Sequence, residues 1–174
     1  LIPGRGFFIP DDLRAAKRKE EIEEDATDAE ILVVADPDSD GLACVAIIRE
    51  LVGEAALIPT GPHQLADGIE HALEFATAET EVFICDLAPD DPEEISAPLE
   101  DLVETADRVR WFDHHQWTPD AEATVTGAGV ELVVGESENE CTADVALRSI
   151  PGEASAHLEE LAAVTRDHDL WIKE

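Results

Sequence analysis

Apolar positions along this chain fall in short runs separated by longer mixed stretches. The runs are 31–35 (ILVVA), 55–59 (AALIP), 82–85 (VFIC), 109–112 (VRWF) and 130–134 (VELVV). All are short and most are rich in Val, Ile or Phe, which suits strands. Between them, 41–52, 63–78, 92–105 and 118–126 suit helices, with Pro92 and Pro119 placed where a first helical turn tolerates a missing N–H. Two further helices are expected near 141–149 and 153–165. Strand and helix alternating at this spacing predict an α/β fold: a parallel five-stranded sheet with helices on both faces. Residues 11–30 are charged with few apolar positions, which predicts an N-terminal segment (1–30) with a mostly exposed helix ahead of a domain spanning 31–174.

The acids are not scattered at random against this rhythm. Asp36 follows the first strand, Asp86 the third in "VFICDLAPDD", and Asp113 the fourth in "WFDHHQW". In a parallel sheet all strand C-termini lie along one edge, where ligands bind. Three motifs far apart in sequence are therefore expected to converge there.

Composition narrows the class. With 42 acids against 11 Lys and Arg in 174 residues, the formal charge is −31. A protein that coats duplex nucleic acid is basic, so that class is excluded. Such acidity in a domain that is 44% hydrophobic fits solubility in a very salty cytoplasm. It also makes a solvated surface group the ordinary reading of any single acid. No apolar run approaches the roughly 20 residues that span a bilayer, and no secretory leader is visible. A cytoplasmic protein without membrane contact is expected. The three cysteines, Cys44, Cys85 and Cys141, lack metal-finger spacing and read as reduced thiols, Cys44 and Cys85 buried in apolar runs. The chain has no methionine, so Leu1 is expected to be a processed end.

"DPDSDG" (36–41) raises the question of what offsets the repulsion of Asp36, Asp38 and Asp40. In an extended segment, side chains two apart point the same way with Cα atoms roughly 6.6 Å apart. Converging carboxylates of that kind hold divalent cations; a plain acidic turn is the ordinary alternative. A calcium loop is excluded, because its twelfth position, which must be a bidentate Glu, is Ile47. A receiver domain wants a lysine after its fifth strand, and "VVGESENE" has none. "DHH" (113–115) adds two histidines, common transition-metal ligands, beside a carboxylate able to share the metal or orient a ring. "TRDHDLW" (165–171) supplies Asp167, His168 and Asp169 after an apolar helix, and either acid can close the site. His63 reads as a helix start near the same edge. His71 and His157 read as surface groups. Trp111, Trp117 and Trp171 read as packing residues, one of them able to line a base-stacking wall.

At these residues the sequence resembles the DHH phosphoesterase superfamily, which includes RecJ-type exonucleases, oligoribonucleases, cyclic-dinucleotide phosphodiesterases and family II inorganic pyrophosphatases. "DPDSDG", the Asp of "CDLAPD", "DHH" and the Asp of "TRDHDLW" match in order over residues 31 to 172. The resemblance implies two Mn²⁺ ions, with Mg²⁺ as a substitute. Asp38 and Asp40 would ligate different ions and Asp86 would bridge them. His114 and Asp167 would complete the set, and Asp36 would stand in for a family histidine whose position here is Val34. His115 would contact the substrate phosphate, and Asp113 would orient the histidines. It also implies a C-terminal substrate-binding domain outside these 174 residues. The expected function is hydrolysis of phosphodiester bonds in short oligonucleotides or cyclic dinucleotides by a metal-activated water. The alternatives are a pyrophosphatase-like enzyme and a catalytically silent metal-binding module.

Overall fold

The Val- and Ile-rich runs can stack into a sheet because each is apolar on both sides, and a strand buried on both faces is what a parallel sheet needs. The computed structural model describes residues 11–172, with side chains from 15 onward. Its strands are β1 (Ile31–Ala35), β2 (Ala56–Pro59), β3 (Glu81–Cys85), β4 (Arg108–Asp113) and β5 (Glu131–Val134). They form one five-stranded sheet in the order β2-β1-β3-β4-β5, with every neighbouring pair parallel. The fold predicted from the apolar rhythm is thus present, with strand ends moved by one residue at most.

The chain leaves β1 toward β2 and then returns across it to β3. This reversal makes the gap between β1 and β3 a topological switch point, where the loops part and leave a crevice. Register fixes what lies there. Ala35 is level with Cys85, and Cys85 with Phe112. The next row across β1, β3 and β4 is therefore Asp36, Asp86 and Asp113.

Two apolar layers hold the sheet. On one face Val33, Phe83 and Phe112 pack with Ile47 and Ile48 of α2 (Ser39–Leu51), Val145 of α6 (Thr142–Ser149) and Leu158 of α7 (Ala156–Asp169). On the other, Leu32, Val34, Ile84 and Trp111 pack with Ile69 of α3 (Leu65–Phe75), Leu99 of α4 (Pro92–Thr105) and Val125 of α5 (Pro119–Gly127). The N-terminal helix α1 (Asp11–Ala26) is mostly exposed, as its charge predicts, and anchors to this second layer through Ile22 and Ala26.

The sequence ends the last helix at 165, but α7 continues to Asp169. "TRDHD" contains neither Gly nor Pro, so nothing interrupts the hydrogen-bond ladder, and the Leu170 amide still reaches the Arg166 carbonyl at 3.0 Å. The fourth motif consequently sits in the last turns of a helix. The predicted helix 63–78 is shorter than expected: a 3₁₀ turn at Pro62–Gln64 precedes α3, which stops at Phe75. No helix among the described residues is long and apolar enough to cross a membrane.

Candidate metal centre

The strand ends deliver Asp86, His114 and His115, and the helices deliver Asp40 and Asp169. Nε2 of His114 lies 3.8 Å from Oδ2 of Asp40, 3.7 Å from Oδ1 of Asp86 and 3.4 Å from Oδ2 of Asp169. Nδ1 of His115 lies 4.0 Å from Oδ1 of Asp86. Two donor groups compact enough to hold a cation result: Asp86, His114 and His115, and Asp40, His114 and Asp169. They share His114. Carboxylate and imidazole donors in this mixture suit a divalent first-row metal or Mg²⁺ rather than a soft thiophilic one. The three thiols belong to neither group, although Cys44 and Cys85 are fully buried close by. Burial, contact with Cys85 and the nearby Asp40 and Asp86 charges push the Cys44 thiol up and keep it protonated.

"DPDSDG" does not stay extended. Helix α2 starts at Ser39, so alternate side chains cease to share a direction. Asp38 caps that helix, its Oδ1 accepting the amides of Asp40 at 2.9 Å and Gly41 at 3.1 Å. Two amides at this helix start are therefore already occupied by a side chain. Asp40, two residues on, is fully buried, and of the three it alone belongs to a donor group. Asp36 and Asp38 line the adjoining cleft of about 450 Å³ with Asp86, His115 and Asp169. Burial, then the Asp38 charge, raises the Asp36 carboxyl.

Gly41 is helical and has no positive φ. Its need is space: a Cβ there would run into the carbonyl oxygen of Asp36. Among the donor-group residues, Asp86 has the unusual backbone, at φ 61°, a region that Asp tolerates better than most side chains. Burial, followed by the Asp40 charge, pushes its carboxyl up to about 8. A cation that binds there must displace a proton.

In "DHH" the three residues divide the work. Asp113 is fully buried. Its Oδ1 pairs with Nδ1 of His115 at 2.7 Å, and its Oδ2 accepts Nε1–H of Trp117 at 2.6 Å. Trp117 in turn stands edge-on to Trp111 at 5.3 Å, and Trp111 donates to the Leu87 carbonyl at 2.8 Å. The Asp113 bond raises His115 to about 9, against the opposing effect of burial.

On α7 the structure brings Asp169 rather than Asp167 into a donor group. Two residues is about 200° around a helix, so the two acids cannot face the same point. Burial, then the Asp40 charge, raises the Asp169 carboxyl. His168 meets Ser39 at 3.1 Å. His63 lies on the 3₁₀ turn, exposed, and pairs with Asp90 at 3.0 Å beside the cleft. His157 is exposed as predicted, but His71 is half-buried with its ring against Phe75. Val34 is fully buried in the α3–α4 layer. Arg148 and Arg166 are engaged with Glu140 and Asp144.

Sequence reasoning missed Trp117 as the partner of Asp113, and Thr142 and Ala143 as partners of the central carboxylates. A tryptophan four residues beyond "DHH" is a weak local hint. A threonine on a helix 102 positions from Asp40 gives none. Compared with models of known families, with curated proteins and with solved structures, the chain has no match.

Proposed function

We propose that this chain is the catalytic domain of a DHH-type, Mn²⁺-dependent phosphoesterase that hydrolyses phosphodiester bonds of short oligonucleotides or cyclic dinucleotides. The observation that carries the reading is the convergence of Asp40, Asp86 and Asp169 on His114 at the switch point of a parallel sheet. A bound pair of divalent cations supplies an acidified water and a polarised phosphoryl oxygen. Asp40, Asp86, His114 and Asp169 are the residues placed to hold them, with Asp36 and Asp38 on the cleft wall.

The remaining residues have roles that follow from their contacts. Asp113 fixes the His115 ring through Nδ1. That leaves Nε2 as the ring's second donor, on a residue that lines the cleft. A cationic imidazole held this way can donate to a phosphoryl oxygen or protonate a leaving oxygen. Trp117 holds the other oxygen of Asp113, so the orientation is anchored twice.

The test combines Mn²⁺ calorimetry with hydrolysis of bis-p-nitrophenyl phosphate. Wild type should bind manganese and cleave slowly. His114→Ala and Asp86→Ala should weaken binding by more than the 10- to 100-fold typical of outer-shell losses. Binding as tight as wild type in both variants would sink the reading. Manganese binding with no ester hydrolysis on any phosphodiester would favour a silent metal-binding module, and hydrolysis confined to pyrophosphate the anhydride-cleaving alternative.

A further inference from the structure

Helix α6 carries none of the acids or histidines of the four motifs, yet its first residues make short contacts with the two central carboxylates. Oδ2 of Asp40 accepts the Thr142 amide at 2.6 Å, and Oδ1 accepts the Ala143 amide at 2.8 Å. The Thr142 hydroxyl donates to Oδ1 of Asp86 at 2.8 Å. Asp40 and Thr142 are both fully buried, and Asp86 nearly so. One residue therefore grips two carboxylates from different segments, that of Asp40 in the first turn of α2 through its backbone and that of Asp86 beyond β3 through its side chain.

The grip is itself braced. Asp144 accepts the Cys141 amide at 3.2 Å, which closes the first turn of α6. Arg166 of α7 donates to the other oxygen of Asp144 at 2.9 Å, three residues before Asp169. At the far end, Arg110 donates to the Ser149 carbonyl at 3.1 Å. The helix thus has a carboxylate at its positive end and a guanidinium at its negative end, the pairing its dipole favours.

We infer that Thr142 is a positioning residue of the metal centre, and that α6 sets the geometry of Asp40 and Asp86 before any cation arrives. A carboxylate oxygen has two lone pairs. The Thr142 hydroxyl takes one on Oδ1 of Asp86 and thereby fixes where the other points. Outer-shell partners of this kind orient ligands and typically change metal affinity by 10- to 100-fold. This inference rests on the metal reading above.

The experiment measures Mn²⁺ affinity by calorimetry, and metal-free melting, for wild type, Thr142→Val, Thr142→Ser and Thr142→Ala. Thr142→Val keeps the shape and removes the donor, and should weaken manganese binding about 10- to 100-fold. Thr142→Ser keeps the hydroxyl and should stay within about threefold of wild type, well inside that range. A purely structural threonine would lower the melting temperature of Thr142→Val and leave its affinity unchanged, which would overturn the inference alone. If Thr142→Val does not fold, the contrast between Ser and Ala decides: equal losses overturn the role of the hydroxyl, and loss in Ala alone supports it. A wild type that binds no manganese removes the metal reading and this inference together.

Discussion

Each aspartate near the sheet edge is compensated differently. Asp38 is spread over two amides of α2, Asp40 over two amides of α6, and Asp113 over an indole and an imidazole. Repulsion among the acids is thus reduced by local donors before any cation binds. Asp86 is the exception, with one hydroxyl partner and a carboxyl raised to about 8 by burial and Asp40. This has a signed consequence for pH. An ordinary aspartate in the unfolded chain is ionised above about 4. Folded Asp86 keeps its proton to about 8, so across that interval the native state binds more protons and loses stability as pH rises. His115, raised to about 9 by Asp113, acts in the same direction between about 6.5, its ordinary value, and 9. In EDTA the metal-free protein should melt at falling temperature from pH 6 to 9. Its advantage over Asp86→Asn should shrink as pH climbs from 5 to 8. A midpoint that rises over that range would contradict both assignments. At this scale the sequence shows which residue types are reactive and which strand ends hold them. It cannot show that Asp40 and Asp169 turn inward while Asp38 turns to cap a helix, because those orientations depend on where α2 begins and α7 ends.

Elements were the most legible level. Val- and Ile-rich runs, Pro92 and Pro119 located the strands and two helix starts to within a residue or so. The misreadings fell at two helix ends: α7 runs through "TRDHD", where no Gly or Pro stops it, and α2 starts inside "DPDSDG", where Asp38 is a helix cap rather than one of a row of metal-facing acids. The second of these made alternating acids look like converging ones. The β1–α2 junction also makes the sharpest mutational prediction. Gly41 faces the Asp36 carbonyl, a backbone atom that cannot swing aside. Gly41→Ala should cost about 1–3 kcal/mol in urea unfolding, as overpacking does, despite alanine's better helix propensity. Because the shift falls on the loop carrying Asp36 and Asp38, manganese affinity should fall with it. An alanine variant as stable as wild type would mean the junction is looser than its geometry indicates.

Over the whole molecule, charge dominates. A net charge of −31 on one small domain must disfavour compaction in dilute buffer. At molar salt the Debye length contracts to about 3 Å and the repulsion is screened. The melting midpoint should therefore climb steadily from low to molar KCl, and a flat or falling series would reject the halophilic reading. The cleft follows the same bias. Its ionisable lining comprises Asp36, Asp38, Asp90 and Asp169 with His115, and Asp86, which stays protonated to about 8; neither lysine nor arginine is among the described residues there. A phosphate approaching that wall is repelled by every formal charge except a protonated imidazole. On the proposed reading this dictates sequence in time: cations must load first, because they alone reverse the sign of the cleft, and only then can an anion enter. On that reading turnover would be compulsorily ordered, with the free divalent-ion concentration acting as a gate upstream of substrate.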